Sequence, residues 1–222
     1  MKEVGEGEEE NSQFIVDSTV DQAQQSEQVE VPSIMYFLKQ PNIFKNLAAL
    51  TVIWIVAGFN YFMVNFQVKY FPGDFAVNTA AMYGSDIASA LLVLPCIVYL
   101  APKTAFQLFS TIMFIAGLIM VFFIDGVDPG IEFPLIVSVA RIGSCCLFIG
   151  VWTLHPQFFP TLFCATSLGY ANIFCRLFVI TAPLIAEWAY PMPMLIFTVM
   201  AFLAFCASMF IVQEPTKAAE LK

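Results

Sequence analysis

The sequence predicts an all-α, polytopic membrane protein with six transmembrane helices. Composition is the first reason: of 222 residues, 59% are hydrophobic and 12% charged, where soluble domains carry roughly 25% charged residues. Mean hydropathy is +0.80 and 24 residues are Phe. A soluble fold has no interior large enough to hide that much apolar side chain. The second reason is distribution, because the apolar residues fall into six stretches, each near the ~20 residues that cross ~30 Å of hydrocarbon as helix. The third is punctuation, since Pro, Gly and Asp gather between the stretches. A soluble enzyme, a nucleic-acid binder and a disordered protein are excluded together.

Along the chain, residues 1–31 come first. They hold nine of the 17 acids and, as base, only Lys2. High charge with few large apolar groups gives no burial to offset ordering, so this reads as a disordered acidic cytoplasmic tail. Ser33 to Gln40, ahead of Pro41, reads as an interfacial stub. The bundle then occupies 32–213, with spans at Asn46–Val68, Val77–Leu100, Thr104–Ile124, Phe133–His155, Cys164–Glu187 and Met192–Val212, and a tail at 214–222. Phe71-Pro72-Gly73-Asp74, Ala101-Pro102-Lys103 and Asp125 to Gly130 separate the first four; prolines around His155–Pro160 and Tyr190–Pro193 separate the rest. With both termini cytoplasmic, Lys2, Lys39, Lys45, Lys103, Lys217 and Lys222 lie inside and only Lys69 outside, as positively charged inner loops require.

Other signals bound the chemistry. The pI of about 4.5 belongs to the tail, and no basic patch exists to hold nucleic acid. Cys96, Cys145, Cys146, Cys164, Cys175 and Cys206 contain no CxxC pair and read as small buried hydrophobes. The acidic N-terminus has no apolar run of the signal-peptide kind. His155, beside Pro156 at a helix end, reads as an exposed interfacial residue. No nucleophile–base pair, phosphate loop or paired-carboxylate motif is present, so neither enzyme activity nor a cofactor or metal is expected.

Four ionisable residues lie within or at the margins of spans: Asp86, Arg141, Arg176 and Glu187. A mid-span charge costs at least ~2.5–3.5 kcal/mol and should face a bundle interior or a watery cavity. Glu187, near a boundary, reads as solvated. Asp86, Arg141 and Arg176 sit on three different helices and read either as a structural ion-pair cluster or as a substrate or coupling-ion site. Asn172 and Arg176 share a helical face at i, i+4. Gly169 permits a close helix approach, and Pro183 predicts a break one to two turns later. Tyr61 and Asn65 share a face of the first span, Tyr61 reading equally as packed aromatic or ligand contact.

Two stretches resemble a known family. Phe158-Phe159-Pro160-Thr161, continuing through Thr166-Ser167-Leu168-Gly169-Tyr170-Ala171-Asn172 and Arg176 to Ala182-Pro183-Leu184, is similar to the C-terminal half of major facilitator superfamily transporters. More narrowly it resembles the organic cation, organic anion and carnitine transporter family. Leu38-Lys39-Gln40-Pro41-Asn42, leading into the span with Trp54 and Tyr61, resembles the opening of that family's seventh helix; Asp86 and Gln213-Glu214-Pro215-Thr216 agree more weakly. The resemblance covers residues 35–217. It implies half of a twelve-helix fold with a 3+3 inverted repeat, plasma-membrane location, and a solute site using Arg176, Asn172, Tyr61 and Asn65, with Asp86 and Arg141 as intramembrane charges. An arginine at 176 resembles members that carry organic anions or zwitterions, since guanidinium binds carboxylate bidentately.

The departures are specific. Gln157 and Cys164 stand where the family has a paired glutamate and arginine at its cytoplasmic gate, Ala101-Pro102-Lys103 replaces a Gly-Arg-Arg type turn, and Ala88 replaces a proline. The family's first six helices have no counterpart here. Three readings follow: a half-transporter that pairs in the bilayer with a second copy or another half; a non-transporting membrane subunit derived from such a half; or a fragment of a twelve-helix gene.

Overall fold

In a computed structural model, residues 38–123 and 132–212 are described. They form seven α-helices: α1 (Pro41–Gln67), α2 (Phe75–Tyr99), α3 (Pro102–Phe123), α4 (Glu132–Leu154), α5 (Thr161–Val179), α6 (Ala182–Ala186) and α7 (Met192–Met209). No strand occurs among them. Counting α5 and α6 as one, six helical segments of 18 to 30 residues are long and apolar enough to cross a membrane. The protein is thus an all-helical, multi-pass membrane protein by the length and composition of its helices. The expected tails, most of the stub and the Asp125–Gly130 turn lie outside the described residues.

Local chemistry explains where helices start and stop. Pro41 and Pro102 each open a helix, where a missing N–H is harmless and φ is already set. After α1, a short 3-10 turn at Val68–Tyr70 leads to Gly73, whose φ of 95° reverses the chain. Asp74 then caps α2, its Oδ1 accepting from the Ala76 and Val77 amides at 2.7 and 3.1 Å. The expected break near Pro183 is present: α5 ends at Val179, and Pro183 sits in the first turn of the separate, five-residue α6. Hydroxyls buried in these helices bond their own preceding turn, as Ser89 does with Ser85 and Ser110 with Phe106. That leaves few polar groups for lipid to solvate.

Packing is uneven. α1 is the hub, touching α4, α5, α6 and α7; α4 also receives α2 and α3, and α3 packs on α7. α2 rests on α4 and α5 on α1, with little else against either. Within its most apolar window, span one is 67% buried and span four 56%, but span two is 22% and span five 17%. Close crossings rely on glycine. A Cβ at Gly143 of α4 would stand 2.9 Å from the Met113 backbone nitrogen of α3, so only glycine permits that approach. At Gly169, where the sequence predicts a close helix approach, nothing lies within 4 Å of the place a Cβ would take. The helix packed on α5 lies on its other side, and this face stays open.

Both ends are tied. At the end where α1 begins, the Asn46 side chain holds Val212 in two bonds, Nδ2 donating to its carbonyl at 2.9 Å and Oδ1 accepting from its amide at 2.8 Å. At the other end Lys69 meets Glu187 at 2.6 Å, and Tyr70 donates its hydroxyl to the same carboxylate. Glu187 is solvent-accessible, as expected for a boundary residue, but it is paired. His155 departs from expectation entirely: it is 0% exposed. Its Nε2 lies 2.8 Å from Ser167 Oγ, and its ring packs against Trp54 and Phe159. Pro156 does end the helix, but α5 and the Trp54 indole cover that end.

Candidate functional site

The charged residues of α2 and α4 meet inside the bundle. Arg141, 0% exposed, donates from Nε to Asp86 Oδ1 at 2.7 Å and from Nη2 to Oδ2 at 3.0 Å. This is the two-pronged guanidinium–carboxylate geometry that gives the strongest such pairs. Nη1 donates to the Tyr61 carbonyl of α1 at 2.7 Å. The Tyr61 hydroxyl donates in turn to Asp86 Oδ2 at 3.3 Å, and the guanidinium carbon lies 3.6 Å from the Tyr61 ring centroid. Three helices are thereby joined through one arginine.

The surroundings make this an asymmetric site. Arg141 is closed off, whereas the Asp86 side chain keeps 23% of its surface accessible. Phe148 stacks on Tyr61 at 5.5 Å. Phe148 follows Arg141 by two turns, with Cys145 between, so spacing along α4 places it on the arginine's face; with 24 Phe in the chain, its residue type alone does not mark it out. The partly accessible carboxylate is thus held by a buried cation, which the Tyr61 carbonyl and ring hold as well.

The other expected site residues lie elsewhere. Arg176 is on the exposed face of α5 and makes no hydrogen bond or ion pair with any described residue; it does not join Asp86 and Arg141. The reason is packing, because α5 rests on α1 and the turn at His155 and α2 rests on α4, which keeps those two helices apart. Asn172, one turn before Arg176, is half-buried, and so is Asn65, one turn beyond Tyr61. Of the six expected residues, Tyr61, Asp86 and Arg141 form a cluster, Asn172 and Arg176 an open pair, and Asn65 joins neither. No group of three metal-ligating side chains converges among the described residues.

Fold and site together define a helical membrane protein with a charge pair buried between spans. Searched against models of known protein families, the chain matches none.

Proposed function

We propose that this chain is one half of a twelve-helix transporter of small organic solutes, anions or zwitterions, working by alternating access. The observation that carries the reading is Arg176, a guanidinium with no ion-pair partner among the described residues, on an exposed face well inside a span. Facing lipid, such a charge costs at least ~2.5–3.5 kcal/mol. It is tolerated if that side of the bundle lines a watery cavity shared with a second half. The two least covered spans, α2 and α5–α6, carry the accessible charges Asp86 and Arg176 on that account.

Helix pairing supports the same reading. Exchanging the first three spans with the last three leaves the pattern of neighbours unchanged: one packs on four, two on four and five on one, three on four and six on one, and three on six. This exchange supports a 3+3 repeat, the architecture implied by the resemblance to the organic cation, organic anion and carnitine transporters. In this scheme Arg176, with Asn172 beside it, receives the solute carboxylate in a low-dielectric cavity. Asp86 and Arg141 form the intramembrane charge pair whose partner exchange follows the transport cycle, and Tyr61 and Asn65 line its α1 side. A second copy or a second half completes the cavity, and the plasma membrane is the expected location.

Uptake by cells expressing the full chain tests this, with a labelled aromatic carboxylate and a labelled quaternary ammonium as solutes. The carboxylate is taken up in preference, and Arg176→Ala lowers its uptake at least about tenfold at equal membrane abundance, the loss of one charge-assisted contact. Arg176→Lys keeps part of it. Uptake unchanged by Arg176→Ala would sink the assignment. Gln157 and Cys164, in place of the gate charges, favour a second reading as a non-transporting subunit; a partner transporter retained in mild detergent, with no uptake by this chain, would select it.

A further inference from the structure

At the end where α1 begins and α7 stops, an open groove of about 840 Å³ runs beside the packed helices. Its lining is largely apolar, including Ala48 and Val52 of α1 and Phe210 beyond α7, and its charged side chains are those of Lys45 and Lys103, with no acid among the described lining residues. Phe210 is 72% exposed, so the groove offers bare apolar surface to whatever surrounds the bundle. The volume is in the range of small-molecule sites.

The two lysines differ in how they are held. Lys103 Nζ donates to the carbonyls of Met209 and Ile211 at 2.8 and 3.0 Å, which anchors it at the C-terminal end of α7. An ammonium has three donors, so one N–H remains for a ligand. Lys45 is exposed, one turn into α1, and has no ion-pair partner among the described residues. At the opposite end of the bundle, by contrast, Lys69 is already matched by Glu187. Positive charge with no acid opposite it among the described residues, beside an apolar groove at a span's end, fits an amphiphile that carries an anionic head on an acyl chain.

We propose that this groove holds one anionic phospholipid of the adjoining leaflet, its headgroup phosphate on Lys45 and Lys103 and an acyl chain along Ala48 and Val52. Zwitterionic lipids share the phosphate, but their own cation competes with the second lysine. Anionic lipid is therefore preferred.

Native mass spectrometry of the full chain, released from detergent after incubation with phosphatidylglycerol or phosphatidylcholine, tests the site. One phosphatidylglycerol is retained about tenfold better than phosphatidylcholine, the preference expected of one to two lysines at a membrane surface. Lys45→Glu abolishes the preference, and because Lys45 is exposed this variant keeps the wild-type melting temperature in lipid-free detergent. Ala48→Trp, which fills the floor without altering charge, lowers retention of both lipids. Glycerol phosphate, a headgroup without chains, fails to displace the lipid. Equal retention of the two lipids by the wild type, an unchanged preference in Lys45→Glu, or displacement by glycerol phosphate would each overturn the proposal.

Discussion

Every nitrogen of the Arg141 guanidinium has an acceptor, two on Asp86 and one on the Tyr61 carbonyl. That satisfaction is what allows a cation to be fully buried, because desolvating it alone would cost several kcal/mol. The pair need not stabilise the fold by much relative to apolar residues of equal size, but breaking it on one side strands a charge. Asp86→Ala is expected to destabilise the protein by about 3 kcal/mol, at the lower end of the buried-pair range because the carboxylate keeps some access to water. The double variant Asp86→Leu, Arg141→Met should be more stable than Asp86→Ala alone. Thermal unfolding in detergent measures both, and a double variant less stable than the single would remove the pair from this role. As residues, Asp86 and Arg141 stand out in the sequence; their pairing does not, since 55 positions separate them. The burial of His155 is hidden for a related reason: its neighbour Pro156 marks a helix end, but covering that end with Trp54 and Phe159 depends on distant elements.

Between elements, the bond from Lys69 to Glu187 fastens the end of α1 to the segment after α6. The Lys69 ammonium, and then the Tyr70 hydroxyl, hold the Glu187 carboxyl below its ordinary range. A carboxylate whose pKa falls on folding contributes stability above its unfolded value and loses it as pH drops through the folded value. The fastening should therefore persist at neutral pH and fail below the ordinary glutamate range. Trp188, exposed beside Glu187, reports on it. Its emission should change on acidification through that window in the wild type, at higher pH as salt screens the pair. Glu187→Gln should show no such transition, and an identical acid titration in that variant would assign the change to another group. Sequence places Glu187 at a span boundary but cannot show Lys69, which ends a helix more than a hundred residues earlier, arriving there.

For the whole bundle, the decisive contrast is between covered and open faces. Gly143 lies at a crossing where a methyl would strike the Met113 backbone, while Gly84 on α2 and Gly169 on α5 have nothing within 4 Å of that position. Gly143→Ala should cost about 1–3 kcal/mol through overpacking. Gly84→Ala should be neutral or stabilising by up to about 1 kcal/mol, as in any exposed helix interior. Unfolding of the isolated chain in detergent compares them, and equal losses would mean that α2 is covered on that face. The open sides of α2 and α5 are where a second half would pack in the proposed transporter.

Six spans and the break before α6 were determined by sequence, because each is a local property, although α1 and α3 start at Pro41 and Pro102, ahead of the expected Asn46 and Thr104. Crossing length and apolarity are read from one stretch at a time, proline acts on its own turn, and within lipid a helix must satisfy its backbone bonds by itself. Which helices touch was decided only by tertiary structure. In a bilayer the lipid tails are as apolar as the helix faces, so hydropathy carries no information about neighbours. Glycine crossings such as Gly143 on Met113, and polar reaches such as Arg141 to Asp86 and Tyr61, select the arrangement. That arrangement buried Arg141 and His155 and left Arg176 outside, on the face where the proposed solute site opens.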